Sequence, residues 1–275
     1  MAAVLFAALL HAFWNSLVKS GSDRFGGAAL VCLWCGVIAL GVAAALPAPA
    51  VAAWPFIGAS AATHVLYFAL VGRLYHSADL SAAYPIMRGT APLLATIGAW
   101  LLLGERLGLA PAAGVALLVG GVFWMAVDGV KHGGVDRGAL IAALANSAVI
   151  ALYTLIDGEG ARLSGHAFAY NAWAGAGSAL LFAPLVLHLR GAAFAGAFAR
   201  QWRRGLAGGA AVFLAYAIVV WAMTEAPIGL VAALRETSVI FAAIIGAVAL
   251  RETFAASRYA AAALIAAGVI ILRVG

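Results

Sequence analysis

Charge is what this chain has least of. Asp, Glu, Lys and Arg make up 9% of its 275 residues, against 66% hydrophobic. A soluble domain of this size could not cover its surface with so few charges, so lipid is the alternative solvent. Cysteine is scarce too: Cys32 and Cys35 are too few for a disulfide framework. Their CxxC lies inside an apolar run without another cysteine or clustered histidine, and reads as two inert thiols, with no metal site. Lysine occurs as Lys19 and Lys131, each after a valine, which excludes a Walker A phosphate loop. No cofactor is expected. Asp128, Asp136 and Asp157 are scattered and read as loop residues, which argues against a membrane-embedded enzyme working on lipid or isoprenoid substrates. No stretch is polar and long enough for a soluble domain, which argues against a receptor or scaffold. The net charge of +6 sits mostly in short joints and does not suggest nucleic acid.

What the chain does have is apolar runs of membrane-spanning length. They fall at about 2–19, 27–46, 54–73, 78–103, 109–127, 138–156, 166–188, 205–223, 227–250 and 257–273. The first lacks a basic leader and is interrupted by Trp14, Asn15 and Lys19, so it reads as a retained helix, not a signal peptide. The expected class is an all-α polytopic membrane protein. Gly114, Gly120 and Gly121, and Gly205, Gly208 and Gly209, read as close helix contacts, because small residues supply packing where lipid removes the hydrophobic drive.

The chain also repeats itself. A shift of 147 residues lays Arg88 on Arg235, Thr90 on Thr237 and Glu105 on Glu252, with Ala95, Ile97, Leu103, Ala113, Leu117, Gly121 and Val122 on identical residues. The repeats are placed at 1–130 and 131–275, five spans each. An odd number inserts the second repeat with opposite orientation, and inverted repeats characterise secondary transporters, with the site near mid-membrane between them.

Arg88 and Arg235 each fall in the middle third of a span. An arginine there costs at least about 2.5–3.5 kcal/mol, so it should face the interior and meet a partner or a ligand. Glu236 is the deep acid. It is either a static partner of an arginine or a proton carrier, and protons are the candidate coupling ion. Arg88, Arg235 and Glu236 sum to +1, which favours a substrate bearing an anionic group. A structural ion pair is the competing reading. His11, Asn15 and Lys19 recur at i, i+4 and i+8 and make one polar stripe, flanked by Trp14. His64 and Tyr67 make a smaller stripe, and Tyr84 shares the face of Arg88. Tyr153 and Tyr216, with Asn146 and Asn171, are further candidates to line a cavity. Pro85 and Pro92 are expected to interrupt the fourth span, a bend the ninth span lacks. Glu105-Arg106 and Arg251-Glu252 close their spans and read as headgroup anchors.

The segments Leu10–Asn15, Tyr84–Gly89 and Leu234–Ser238, in two repeats that close near Gly-Glu-Arg and Arg-Glu, resemble the EamA repeats of the drug/metabolite transporter superfamily. The likeness covers essentially the whole chain. It implies a ten-helix inner-membrane carrier that works by alternating access, often exporting amino acids or other metabolites. One departure stands out. Family members are drawn with both termini in the cytoplasm, whereas here eleven Lys and Arg lie at joints after odd-numbered spans and three at joints after even-numbered ones. The positive-inside rule then places both termini outside.

The reading is a secondary active transporter for a small metabolite with an anionic group, an amino acid or organic acid, in the lipid bilayer and without enzymatic activity. The alternatives are a multidrug or cation exporter of the same fold and a lipid-modifying enzyme. The loop charges predict that alkaline phosphatase fused to the C-terminus is active and a cytoplasmic reporter there is silent; the reverse pattern overturns the orientation.

Overall fold

The structure, a computed structural model, describes residues 1–19, 21, 23–77, 80–133, 137–249 and 256–274. For some helical residues in these ranges, Lys19 and Tyr84 among them, the backbone alone is described. Arg251 and Glu252 lie outside the described residues.

The described elements are helical throughout. They are α1 (Ala2–Lys19), α2 (Arg24–Ala45), a 3₁₀ turn (Val51–Ala53), α3 (Trp54–Ser77), α4 (Leu80–Leu103), α5 (Leu109–Gly133) and α6 (Arg137–Leu163). Then follow α7 (Ala167–Arg190), α8 (Ala192–Arg200), α9 (Trp202–Glu225), α10 (Ile228–Arg235), α11 (Ser238–Ala249) and α12 (Ala256–Val274). Six described stretches are long and apolar enough to cross a bilayer: Phe25–Ala45, Val51–Leu70, Ile86–Leu103, Leu140–Leu163, Ala167–Arg190 and Trp202–Glu225. Ala2–Val18, Leu109–Trp124 and Ala260–Leu272 are shorter apolar helices. The outer surface suits lipid, with Leu102 and Leu180 each 75% exposed.

Local chemistry sets the ends. The Asp23 carboxylate accepts from the Gly26 amide at 2.9 Å and caps α2. α2 stops at Leu46, whose extended backbone precedes Pro47. α4 stops at Gly104, with φ of +68°, and α7 at Gly191, with φ of +65°, a conformation that glycine adopts without a Cβ penalty.

Two differences from the sequence reading concern the helices that carry the arginines. α4 runs unbroken through Pro85 and Pro92. The ninth span is the broken one: α10 ends at Arg235 and α11 begins at Ser238. The cause is local. The Leu234 carbonyl accepts from the Thr237 amide at 3.1 Å and from the Thr237 hydroxyl at 2.7 Å. The amides of Val239 and Ile240 likewise reach back three residues, to Glu236 and Thr237. Side-chain competition for a helix carbonyl tightens the turn and interrupts the α ladder. α8 also falls where a joint was expected.

α5 packs along α12, and α2 along α7. α9 lies on both α1 and α2; α3 lies on both α6 and α7; α4 packs on α6, and α1 on α10 and α11. Glycines set the closest approaches. A Cβ at Gly268 would sit 2.8 Å from the Gly114 carbonyl oxygen, and one at Gly121 would sit 2.9 Å from the Ala261 oxygen, along the α5–α12 seam. On α9, a Cβ at Gly209 would sit 2.6 Å from the Cys35 amide nitrogen, and Gly205 and Gly208 meet Trp34 and Val31. Gly120 makes ordinary contact only, at 3.8 Å from Leu264.

Gly209→Leu is expected to destabilise by at least about 1–3 kcal/mol through overpacking. Gly41→Leu, where nothing lies within 4 Å, should be neutral. Thermal unfolding of the detergent-purified variants checks the pair; equal midpoints would refute the seam.

Candidate functional site

The chain has a local solution for most of its buried hydroxyls. Ser147, Thr154 and Ser178 each donate to the carbonyl four residues back, at 2.7–2.8 Å. In lipid such internal satisfaction is the inexpensive one. Charged side chains have no such route. The buried ones are Arg88, Asp157, Arg235 and Glu236, none more than 4% exposed. They define two adjoining clusters.

The first joins α4 to the break between α10 and α11. Arg88 Nε lies 2.9 Å from Glu236 Oε2, and an Arg88 terminal nitrogen donates to Ser238 Oγ at 3.3 Å. Arg235 Nε lies 3.7 Å from Glu236 Oε1. The Arg88–Glu236 contact is short but poorly aligned: neither Glu236 oxygen accepts a hydrogen bond among the described residues, and Arg235 Nε donates none. One carboxylate is therefore shared by two guanidiniums, held by charge with hydrogen-bonding capacity left over. Local charge is +1. Arg235 and Glu236 both lie where α10 ends, and both are buried. Pro92 adds a backbone feature, since it has no N–H to offer the Arg88 carbonyl four residues back.

α1 runs past this cluster, packing on α9, α10 and α11. His11 lies within electrostatic reach of Arg88 and Arg235. Trp14 Nε1 donates to His11 Nδ1 at 3.3 Å, and the buried His11 Nε2 has no partner among the described residues. Asn15 is turned to its own helix, donating to the His11 carbonyl at 2.8 Å, so the polar stripe is partly consumed internally. The side chains of Lys19 and Tyr84 lie outside the described ones.

The second cluster brings together His64, Tyr67, Tyr153 and Tyr216, from α3, α6 and α9. The His64 ring stacks on Tyr153 at 4.3 Å and meets Tyr216 edge-on at 5.6 Å. Tyr67 and Tyr216 stand 6.0 and 6.3 Å from Tyr153. His64 Nδ1 lies 2.9 Å from the Ser60 carbonyl oxygen and 3.3 Å from its hydroxyl. Behind the rings is Asp157, fully buried: Oδ1 accepts from Tyr170 at 2.9 Å, and Oδ2 accepts from Tyr216.

Asp157 corrects the sequence reading, which put it in a loop. α6 continues past it to Leu163. The run Asp157-Gly158-Glu159-Gly160 looks like a turn, but both glycines are there for contact. A Cβ at Gly158 would meet Ile228 at 2.4 Å, and one at Gly160 would meet Tyr170 at 2.5 Å and Phe56 at 2.6 Å. The charge sum from sequence also omitted this acid. Among the described residues it is bound by tyrosines and has no ion pair with a guanidinium.

Glu105 is a second correction. Its carboxylate is engaged within the protein. Its Oε1 accepts from Arg162 at 2.5 Å, and its Oε2 accepts from the Ile228 amide, the first of α10, at 2.8 Å. Arg162 in turn donates to the carbonyls of Met223 and Ala226 at the end of α9, at 2.9 and 3.3 Å. The sequence signal was available only as Pro227, which marks a joint whose orphan amides and carbonyls need partners. Elsewhere, an apolar groove of about 660 Å³, bounded by residues such as Gly89, Leu93, Val119 and Phe123, contains none of the candidate residues.

Residues 137–274 match the sequence model of the EamA-like transporter family. No curated protein matches the chain. A solved crystal structure superposes on 98% of this chain and 93% of its own, with a TM-score of 0.76 at 18% identity, a likeness of fold.

Glu236→Gln would remove the charge that faces both buried guanidiniums, Arg88 and Arg235. Removing one partner of a buried pair costs about 3–5 kcal/mol. The expected outcome is a lower unfolding midpoint for Glu236→Gln, eased by a second substitution, Arg88→Gln. A midpoint unchanged in the single variant would show that the cluster carries no such coupling.

Proposed function

Because the chain belongs to the EamA-like transporter family, multi-pass membrane proteins of the drug/metabolite transporter superfamily, we propose that it is a secondary active transporter. The molecule carried is a small metabolite with an anionic group, an amino acid or an organic acid. It crosses the inner membrane by alternating access.

The neighbour pattern supports two inverted repeats of five spans, 1–130 and 131–275. Exchanging α1 with α6, α2 with α7, α3 with α9, α4 with α10–α11 and α5 with α12 maps most of the principal packing pairs onto one another or onto themselves, although the α4–α5 pair has no counterpart among the described residues. The α2–α9 pair becomes α7–α3, and the α4–α6 pair becomes the packing of α10 and α11 on α1. A repeat of this kind brings Arg88 and Arg235 to the interface between halves. The helix break at Glu236–Thr237 fits the discontinuous helices that form mid-membrane sites in inverted-repeat carriers.

The observation that carries the reading is the division of one carboxylate between two guanidiniums. A substrate carboxylate would supply the missing counter-charge and accept from Arg235, whose planar fork suits bidentate recognition. Glu236 would then serve either as the static partner of Arg88 or as the proton carrier. In the second role, its protonation would release both arginines, with protons as the coupling ion.

Uptake of labelled amino and organic acids into proteoliposomes, with and without a pH gradient, tests this. Arg235→Gln should lower uptake by about ten- to a hundredfold, the worth of one charge-assisted hydrogen bond (about 1.5–3 kcal/mol), with a normal chromatographic profile. Unchanged acid uptake in that variant, or flux of organic cations only, would overturn the reading.

A further inference from the structure

The ring cluster beside the arginines has a chemistry of its own. We propose that His64, Tyr67, Tyr153 and Tyr216, backed by Asp157, hold an ammonium group, so that the molecule carried bears an amine as well as an acid. The inference rests on the arginine cluster being the anion site.

Placement comes first. On α3 the lipid-facing stripe is Gly58, Ala59, Ala62 and Leu66, all exposed. His64 and Tyr67 lie on the opposite side with buried Ile57 and Ser60, yet both keep some exposure. Tyr216 likewise keeps some exposure and lies away from the exposed stripe of α9 at Leu206, Ala210, Leu214 and Trp221. Their exposure therefore faces the bundle's own interior. A seam of tyrosine and histidine kept only for packing would have closed on itself, as Tyr170 and Phe182 do.

Electrostatics come second. Tyr216 spends its proton on Asp157, which leaves its oxygen lone pairs to accept and makes its ring electron-rich. Stacked and edge-on rings present negative faces, the surface an organic cation seeks. Asp157 lies within electrostatic reach of both Tyr153 and Tyr216. A buried carboxylate is favoured by a positive charge brought near it. The arginines stand against Glu236, and among the described residues Asp157 has no ion pair.

Proximity comes third. Tyr153 and Tyr216 are both within electrostatic reach of Arg235. Met87, next to Arg88 in sequence, packs in one cluster with Tyr153, Tyr67 and Tyr216. Cationic and anionic poles of one small molecule would thus be met from adjoining walls, and its orientation fixed.

Equilibrium binding to the purified full chain tests the idea with matched pairs that differ by the amine. The pairs are alanine and propanoate, leucine and 4-methylpentanoate, and phenylalanine and 3-phenylpropanoate. At least one amino acid should bind about tenfold or more tightly than its desamino partner. Tyr153→Leu should reduce that ratio to about two or less; Tyr153→Phe, which keeps the ring, should retain it. Asp157→Asn should act like Tyr153→Leu, and if it fails to fold the two Tyr153 variants decide alone. Equal affinities within every pair, with desamino binding still lost in Arg235→Gln, overturn the ammonium site and leave the anion site standing. If the acids are indifferent to Arg235→Gln, or none binds, the transporter reading fails and this inference falls with it.

Discussion

Two guanidiniums around one carboxylate, in a medium without water, is the constraint on which the rest of this structure depends. Neither arginine could be buried alone at acceptable cost, and Arg235 Nε donates no hydrogen bond among the described residues. The bundle accommodates the imbalance by breaking a helix at Glu236–Thr237. It uses hydroxyl competition for the Leu234 carbonyl, without proline or glycine. Charge, turn and helix packing meet at one place, since α10 ends at Arg235, beside Glu236.

Around this centre the interior separates groups that satisfy themselves from groups that do not. Serine and threonine hydroxyls return to their own helices, as Asn15 does. Among the described residues, Arg235 Nε, both Glu236 oxygens and His11 Nε2 keep capacity to spare. In a protein whose helices otherwise meet through alanine and glycine, spare polar capacity collects in one region between α1, α3, α4, α6, α9 and α10.

Much of the fold was legible in the sequence, because lipid imposes long apolar runs and leaves few other solutions for the backbone. The buried arginines stood out for the same reason, and so did most of the contact glycines. What escaped reading was whatever depends on partners distant in sequence. Asp157 sits in a Gly-rich stretch that mimics a turn, and only Ile228, Tyr170 and Phe56 explain why those glycines are helical. Glu105 looked like a terminal charge because its partners, Arg162 and the Ile228 amide, come from the other half of the chain. The prolines of α4 were over-weighted, and the Glu-Thr-Ser run that breaks the ninth span was under-weighted, since a hydroxyl competes with the backbone less visibly than a missing N–H.

The shortness of α10 has a mechanical consequence. Eight residues at a rise of 1.5 Å make a rod about 12 Å long, too short to bend. Its first amide is gripped by Glu105, and its last residue is Arg235. A tilt that repositions the charged end must therefore strain or release the grip at the other, so the two ends of α10 move as one rigid strut.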